Sequence, residues 1–262
     1  MKAKTNKFAA IFWLLCFLLA KGVLPLQAKP AKERAEVQRH GYVFEKWVRD
    51  TFFDGYVLEN YTQLWDIPKD KNKRYGQIPV QIKMTKYGSP TDLGDALRQF
   101  GIGEKFLLII GYWKQEGDKK RVVNIVAATI EPEIYTSLWR PILWDDLQKL
   151  DAVVKNRNLT PQEARAAAKK MKSGAPFSSS VMGVHPKIDS KTQRRLQCSL
   201  SFREVFEFLA PQSDSRVLEN PALFGIAAPA PFYSPPRGKG STPFAGKTQV
   251  RRVFHDTFFN AS

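Results

Sequence analysis

The sequence predicts an α/β chain built on a mixed β-sheet. Three observations carry that reading. A long amphipathic helix occupies residues 31–53. Two strongly apolar β-like runs, "KFLLIIGYW" (105–113) and "RVVNIVAATI" (121–130), are joined by the polar turn "KQEGDKK". The order helix, strand, strand, helix, strand, strand then interleaves helices with strands, as mixed-sheet folds do. Composition agrees. A chain of 262 residues with 43% hydrophobic and 12% aromatic content can bury one sizeable core, and is globular rather than disordered.

The first residues read as a targeting segment. "MKAKTNK" is a basic opening and "FAAIFWLLCFLLA" (8–20) an apolar run. "LPLQA" offers cleavage after Ala28, with Leu26 at the −3 position. The run is shorter than the roughly 20 residues of a spanning helix, so a cleaved signal over 1–28 is the first reading and an uncleaved anchor the second. Cys16 would leave with the signal, and Cys198 alone would remain, which forbids an intrachain disulfide.

The elements follow in order. In the helix 31–53, Phe44, Trp47, Val48 and Phe52 share one face, and Glu45 sits at its edge. Residues 56–67 read as a strand ended by Pro68, followed by a basic turn (69–77) and a strand over 78–84. In that strand Ile78, Val80 and Ile82 face the core, while Gln81 and Lys83 share the opposite face. Residues 86–101 read as a loop and a short helix, capped by Thr91 or Ser89 and stopped by Gly101. The two central strands come next. "PILWDDLQKLDAVV" and "TPQEARAAAKKMK" are helical, the second with Thr160 as N-cap and Pro161 at its first position. "TQRRLQCSL" (192–200) alternates like a strand, and Ser201 with Glu204 form a capping box for 201–210. From residue 211, Pro, Gly and Ser dominate, which predicts a disordered or extended tail over 211–262.

Four residues from this framework converge in expectation. Asp66 ends one strand, Gln81 and Lys83 lie on its neighbour, and Glu45 comes from the helix before them. Such a cluster suits metal-assisted phosphodiester hydrolysis. A carboxylate holds Mg²⁺, the metal polarises the phosphate, and a lysine steadies the attacking hydroxide.

The residues "GYVFE" with Glu45, "WDIP" with Asp66, "PVQIK" with Gln81 and Lys83, and "DALRQF" with Gln99 resemble the PD-(D/E)XK nuclease superfamily, to which many type II restriction endonucleases belong. The likeness spans residues 38–130. It implies a restriction-endonuclease-like catalytic core within a domain over 29–210, whose later helices extend the fold. It also implies Asp66 as main metal ligand, Gln81 as a further one and Glu45 as a supporting one, Lys83 as catalytic lysine, and Gln99 as a residue that orients water or contacts phosphate. The superfamily usually has an acid where this chain has Gln81, and an amide is a weaker ligand for a hard cation. Asp92 or Asp95 on the neighbouring helix could add charge.

Each residue also has a plainer reading. Glu45 suits a solvated helix face, Asp66 a turn, Lys83 an edge strand and Gln99 a helix surface. His40, His185 and His255 have no metal-ligand spacing. The formal charge of +16 calls for a polyanionic partner, nucleic acid first and an anionic membrane surface second. Lys69, Lys71, Lys73 and Arg74 could track phosphates, and Arg195 with Gln197 could read base edges or simply be a solvated face. The expectation is a Mg²⁺-dependent deoxyribonuclease acting on double-stranded DNA, with no small-molecule cofactor and with a homodimer admitted. The signal places it outside the cytoplasm, secreted or periplasmic, with a membrane role only for an uncleaved signal; a misassigned start would return it to the cytoplasm. The rival is a non-catalytic exported envelope or nucleic-acid-binding protein on the same scaffold.

Overall fold

A helix with apolar residues at positions i, i+4 and i+8 needs a flat apolar surface, and a strand of alternating Val and Ile supplies one. The computed structural model pairs them in this way. It describes residues 31–58, 63–189 and 193–234. The chain divides into two units, 1–37 and 38–262, and the second contains every strand among the described residues.

Helix α1 (Ala31–Phe52) buries Phe44, Val48 and Phe52, with Trp47 half-buried beside them. They pack on Val80 and Ile82 of β1 (Val80–Lys86) and on Leu107 and Ile109 of β3 (Phe106–Glu116). Strand β1 runs parallel to β3, with Gln81 opposite Leu108 and Lys83 opposite Ile110. Strand β3 forms an antiparallel hairpin with β4 (Lys119–Ile130), and β9 (Phe232–Tyr233) closes the far edge. The sheet is therefore mixed.

Its other face carries the larger core. Leu108, Ile110, Tyr112, Val126 and Ile130 meet side chains from α3 (Pro132–Ser137), α4 (Trp144–Lys155) and α5 (Pro161–Lys172). A second, antiparallel sheet joins that core. Its order is β2 (Thr91–Asp95), β6 (Arg194–Leu200), β5 (Gly183–Ile188). The chain is thus a mixed α/β fold with helices flanking a mixed sheet.

Several expectations need correction. Residues 63–67 form no strand; they meet β1 through the single bridge Ile67–Val80. Pro68 and Pro79 flank that bridge and lack the N–H groups that would extend the ladder. Residues 91–95 are strand rather than loop, because Thr91 and Leu93 turn inward and Thr91, Asp92, Gly94 and Asp95 pair with β6, with a bulge at Leu93. The cap of α2 (Ala96–Phe100) is accordingly Asp95, which accepts from the Arg98 N–H at 3.1 Å. The capping boxes Thr160–Glu163 and Ser201–Glu204 both form; the latter opens α6 (Phe202–Glu204), which continues as a π-helical turn (Val205–Leu209).

Residues 211–234 are extended but fastened. The Asn124 amide donates to the carbonyls of Asp214 and Arg216, each at 2.7 Å, and the Leu218 N–H bonds the Val123 carbonyl. Leu223 is buried in β7 (Ala222–Leu223), which pairs with the short strand β8 (Ile226–Ala227), and Phe224 stacks on Tyr75 with ring centres 4.1 Å apart. The expected signal over 1–28 and the tail beyond 234 lie outside the described residues. Among the described residues, no helix is long and apolar enough to cross a membrane.

Candidate active site

Ile67 is buried in the α1-side core, and its bridge to Val80 brings the preceding residue, Asp66, to the edge of β1. The Asp66 Oδ2 atom accepts the Ile82 N–H at 2.6 Å, which pins the carboxylate to the edge of β1. Lys83, one residue on, places Nζ 3.9 Å from the same oxygen. This is an ion pair rather than a hydrogen bond. Both side chains are about three-quarters covered: Lys83 is exposed by 24% and Asp66 by 22%.

Glu45 comes to the same region from α1. Its Oε1 accepts from Arg49 Nη1 at 2.7 Å. Burial raises the Glu45 pKa above its ordinary value, and the Asp66 charge adds to that rise; Arg49 and Lys83 oppose it. Glu45, Asp66 and Lys83 are therefore within one electrostatic neighbourhood. Arg49 is a member that sequence reasoning did not find. It is 8% exposed, and its spacing of four from Glu45 was the available signal.

Gln81 shares the strand face of Lys83 but is 2% exposed. Its Nε2 donates to the Leu93 carbonyl at 3.3 Å, and among the described residues its Oε1 is buried without a hydrogen-bond partner. An orphaned buried carbonyl oxygen is uncommon and costly. Gln99 is engaged elsewhere: it is buried in α2, and its Oε1 accepts from the Tyr135 hydroxyl. Asp92 and Asp95 lie on β2 rather than on a helix; Asp92 accepts the Gly94 N–H at 2.9 Å and Asp95 caps α2. Cys198 is free and buried, and burial pushes its thiol pKa far up.

Among the described residues, no three His, Cys, Asp or Glu side chains are grouped to hold a metal ion. The donors present are all oxygens: the Asp66 carboxylate, the orphaned Gln81 amide oxygen and the Arg49-bonded Glu45 carboxylate. In kind they suit a hard cation such as Mg²⁺; in charge the set is weak.

The basic turn is a built loop. Asn72 is fully buried, donates to the carbonyls of Tyr75 and Ile78, and accepts the Tyr75 N–H. Lys69, Lys71, Lys73 and Arg74 are exposed around it, with Lys71 near Asp70 and Arg74 near Asp54. On β6, Arg195 is exposed and Gln197 half-buried, while Leu196 and Cys198 face the core. No family model, curated protein or solved structure matches the chain.

Proposed function

We propose that this chain is a Mg²⁺-dependent endonuclease that hydrolyses phosphodiester bonds of double-stranded DNA, on a restriction-endonuclease-like core. The observation that carries the reading is the Asp66–Lys83 pair at 3.9 Å, with Glu45 in its field. Metal-assisted phosphodiester cleavage uses a cation beside the scissile phosphate and a carboxylate that fixes its surroundings. Lys83 supplies the first and Asp66 the second. Asp66, Gln81 and Glu45 would hold the metal, which would polarise the phosphate and lower the pKa of a bound water. Lys83 then stabilises negative charge on the attacking oxygen, and its partial burial strengthens that interaction relative to water. The exposed cations of the Asn72 loop provide sequence-independent attraction for the backbone.

The test is plasmid nicking with and without Mg²⁺, for wild type and Lys83→Ala. Metal-dependent cleavage that disappears in the variant supports the reading. Equal activity in both proteins, or none in wild type, removes it. A second reading, a non-catalytic exported envelope or nucleic-acid-binding protein, is favoured by one observation: Gln81 brings an amide where a carboxylate would serve a metal better. DNA binding by wild type without cleavage selects that alternative. Sequencing the mature N-terminus from cells tests export.

A further inference from the structure

Helix α5 carries three cations on one flank. Arg165, Lys169 and Lys172 recur at i, i+4 and i+7, the spacing of a single helical face. The neighbouring Ala164 and Ala168 are fully buried, and such small residues let the helix lie close to the core. The three cations, with Ser173 and Pro186 of β5, line an open groove of about 440 Å³. Among the described residues, no carboxylate lines it. Arg165 is held in place by two of its five donors, Nε and Nη2, which bond the Ile188 carbonyl at 3.0 and 2.8 Å. Among the described residues, neither Lys169 nor Lys172 has a carboxylate ion-pair partner. Burial lowers the Lys172 pKa.

The helix C-terminus favours lysines in its last turn by about 0.3–1 kcal/mol each. That accounts for Lys169 and Lys172 near the helix end, but not for a concave wall that also recruits Arg165 and excludes every acid. The positive field continues onto the exposed side of the second sheet. Lys187 on β5 stands opposite Arg195 on β6, and the charges of Lys172 and Lys187 both act on His185. Asp92 is the acid that opposes them there.

We propose that this groove is a backbone-phosphate site for duplex DNA, which holds the nucleic acid rather than cuts it. It rests on the nucleic-acid reading of the proposed function, but not on catalysis. The formal charge of +16 favours a polyanion, and a groove without base-reading amides suits phosphate oxygens.

The experiment is fluorescence anisotropy of a labelled duplex in EDTA, across a salt series. It compares wild type, Lys169→Gln/Lys172→Gln, and the charge-matched control Lys105→Gln/Lys119→Gln. Each phosphate contact contributes about 0.9 to the slope of log K against log salt. The groove variant should lose roughly 1.8 from that slope, and the control less. Melting curves verify folding; should Lys172→Gln melt early, Lys169→Glu alone carries the comparison. An unchanged slope in the groove variant overturns the proposal. So does a wild type that does not bind duplex, or a variant that loses binding to phosphatidylserine vesicles while keeping that to DNA. Plasmid cleavage in Mg²⁺ separates the two readings. Weakened binding with no wild-type cleavage keeps the groove and removes the nuclease. Cleavage with unchanged binding does the reverse.

Discussion

The Asp66 carboxylate bonds the backbone of β1 through Ile82 and, with the same oxygen, faces Lys83 at 3.9 Å. One side chain thus joins the strand edge to the lysine beside it. Two substitutions separate its roles. Asp66→Asn keeps an acceptor for the Ile82 N–H, whereas Asp66→Ala leaves that donor unpaired at a cost of about 1–3 kcal/mol. Both should abolish metal-dependent cleavage, but only Asp66→Ala should lower the urea midpoint substantially. Lys83→Ala should cut turnover by about 10²–10³-fold while DNA affinity stays near wild type. Equal cleavage by all three variants would locate the chemistry elsewhere.

Gln81 invites a sharper experiment than activity alone. Gln81→Glu replaces the Nε2 donor that bonds Leu93 and buries a carboxylate in a 2%-exposed position. Without metal this should destabilise the chain by about 1–3 kcal/mol or more, since a buried charge adds to the lost hydrogen bond. With Mg²⁺ present the variant should recover, because a ligand that binds only the folded state stabilises it by mass action. Thermal melts with and without Mg²⁺ measure both effects. A variant that is destabilised equally in the two buffers would show that residue 81 does not touch the ion.

The legible parts of the fold were those with local periodicity. Phe44, Val48 and Phe52 announce α1, the β3–β4 hairpin is strongly apolar, and Thr160–Glu163 mark the start of α5. The shared face of Gln81 and Lys83 followed from alternation alone. Elements held by distant partners were not legible. Strand β2 reads "TDLGD", poor in β-formers, and exists because β6 pairs with it. Strand β5 contains Pro186, which fits only at the sheet edge where it lies. Residues 211–234 show no period, since side-chain amides of Asn124 and Gln115 hold their carbonyls. Asn72 looked like one more polar turn residue, yet it organises the loop through three hydrogen bonds.

Gly111 sets how closely α1 approaches the sheet. A Cβ at this position would lie 2.7–2.9 Å from three carbons of the Phe44 ring. Such contacts force the helix or the ring to move, and Phe44 is fully buried. Gly111→Ala should therefore cost about 1–3 kcal/mol, read from urea unfolding. Because Glu45 follows Phe44, displacement of the helix should also reduce activity beyond the loss in stability. Phe44→Leu in the same chain should relieve part of the penalty. Simple additivity of the two substitutions would show that this contact does not constrain α1.

Glu45 should leave a signature in the pH dependence of stability. Burial first, and Asp66 second, raise its pKa in the folded chain. The folded state then holds the proton at pH values where the unfolded chain has released it. By linkage, the stabilising contribution is complete below the unfolded carboxylate pKa and is lost as pH rises through the folded one. Glu45→Gln keeps a carbonyl oxygen for Arg49 but does not titrate. Relative to this variant, wild type should be at its best at about pH 4 and should lose ground as pH climbs towards neutrality. Urea midpoints of both proteins across that range give the difference directly. Asp66→Asn should shrink the pH dependence without removing it, since burial is the larger cause. A pH dependence that Asp66→Asn leaves unchanged would take Glu45 out of the field of Asp66, and the site would lose its third charged member.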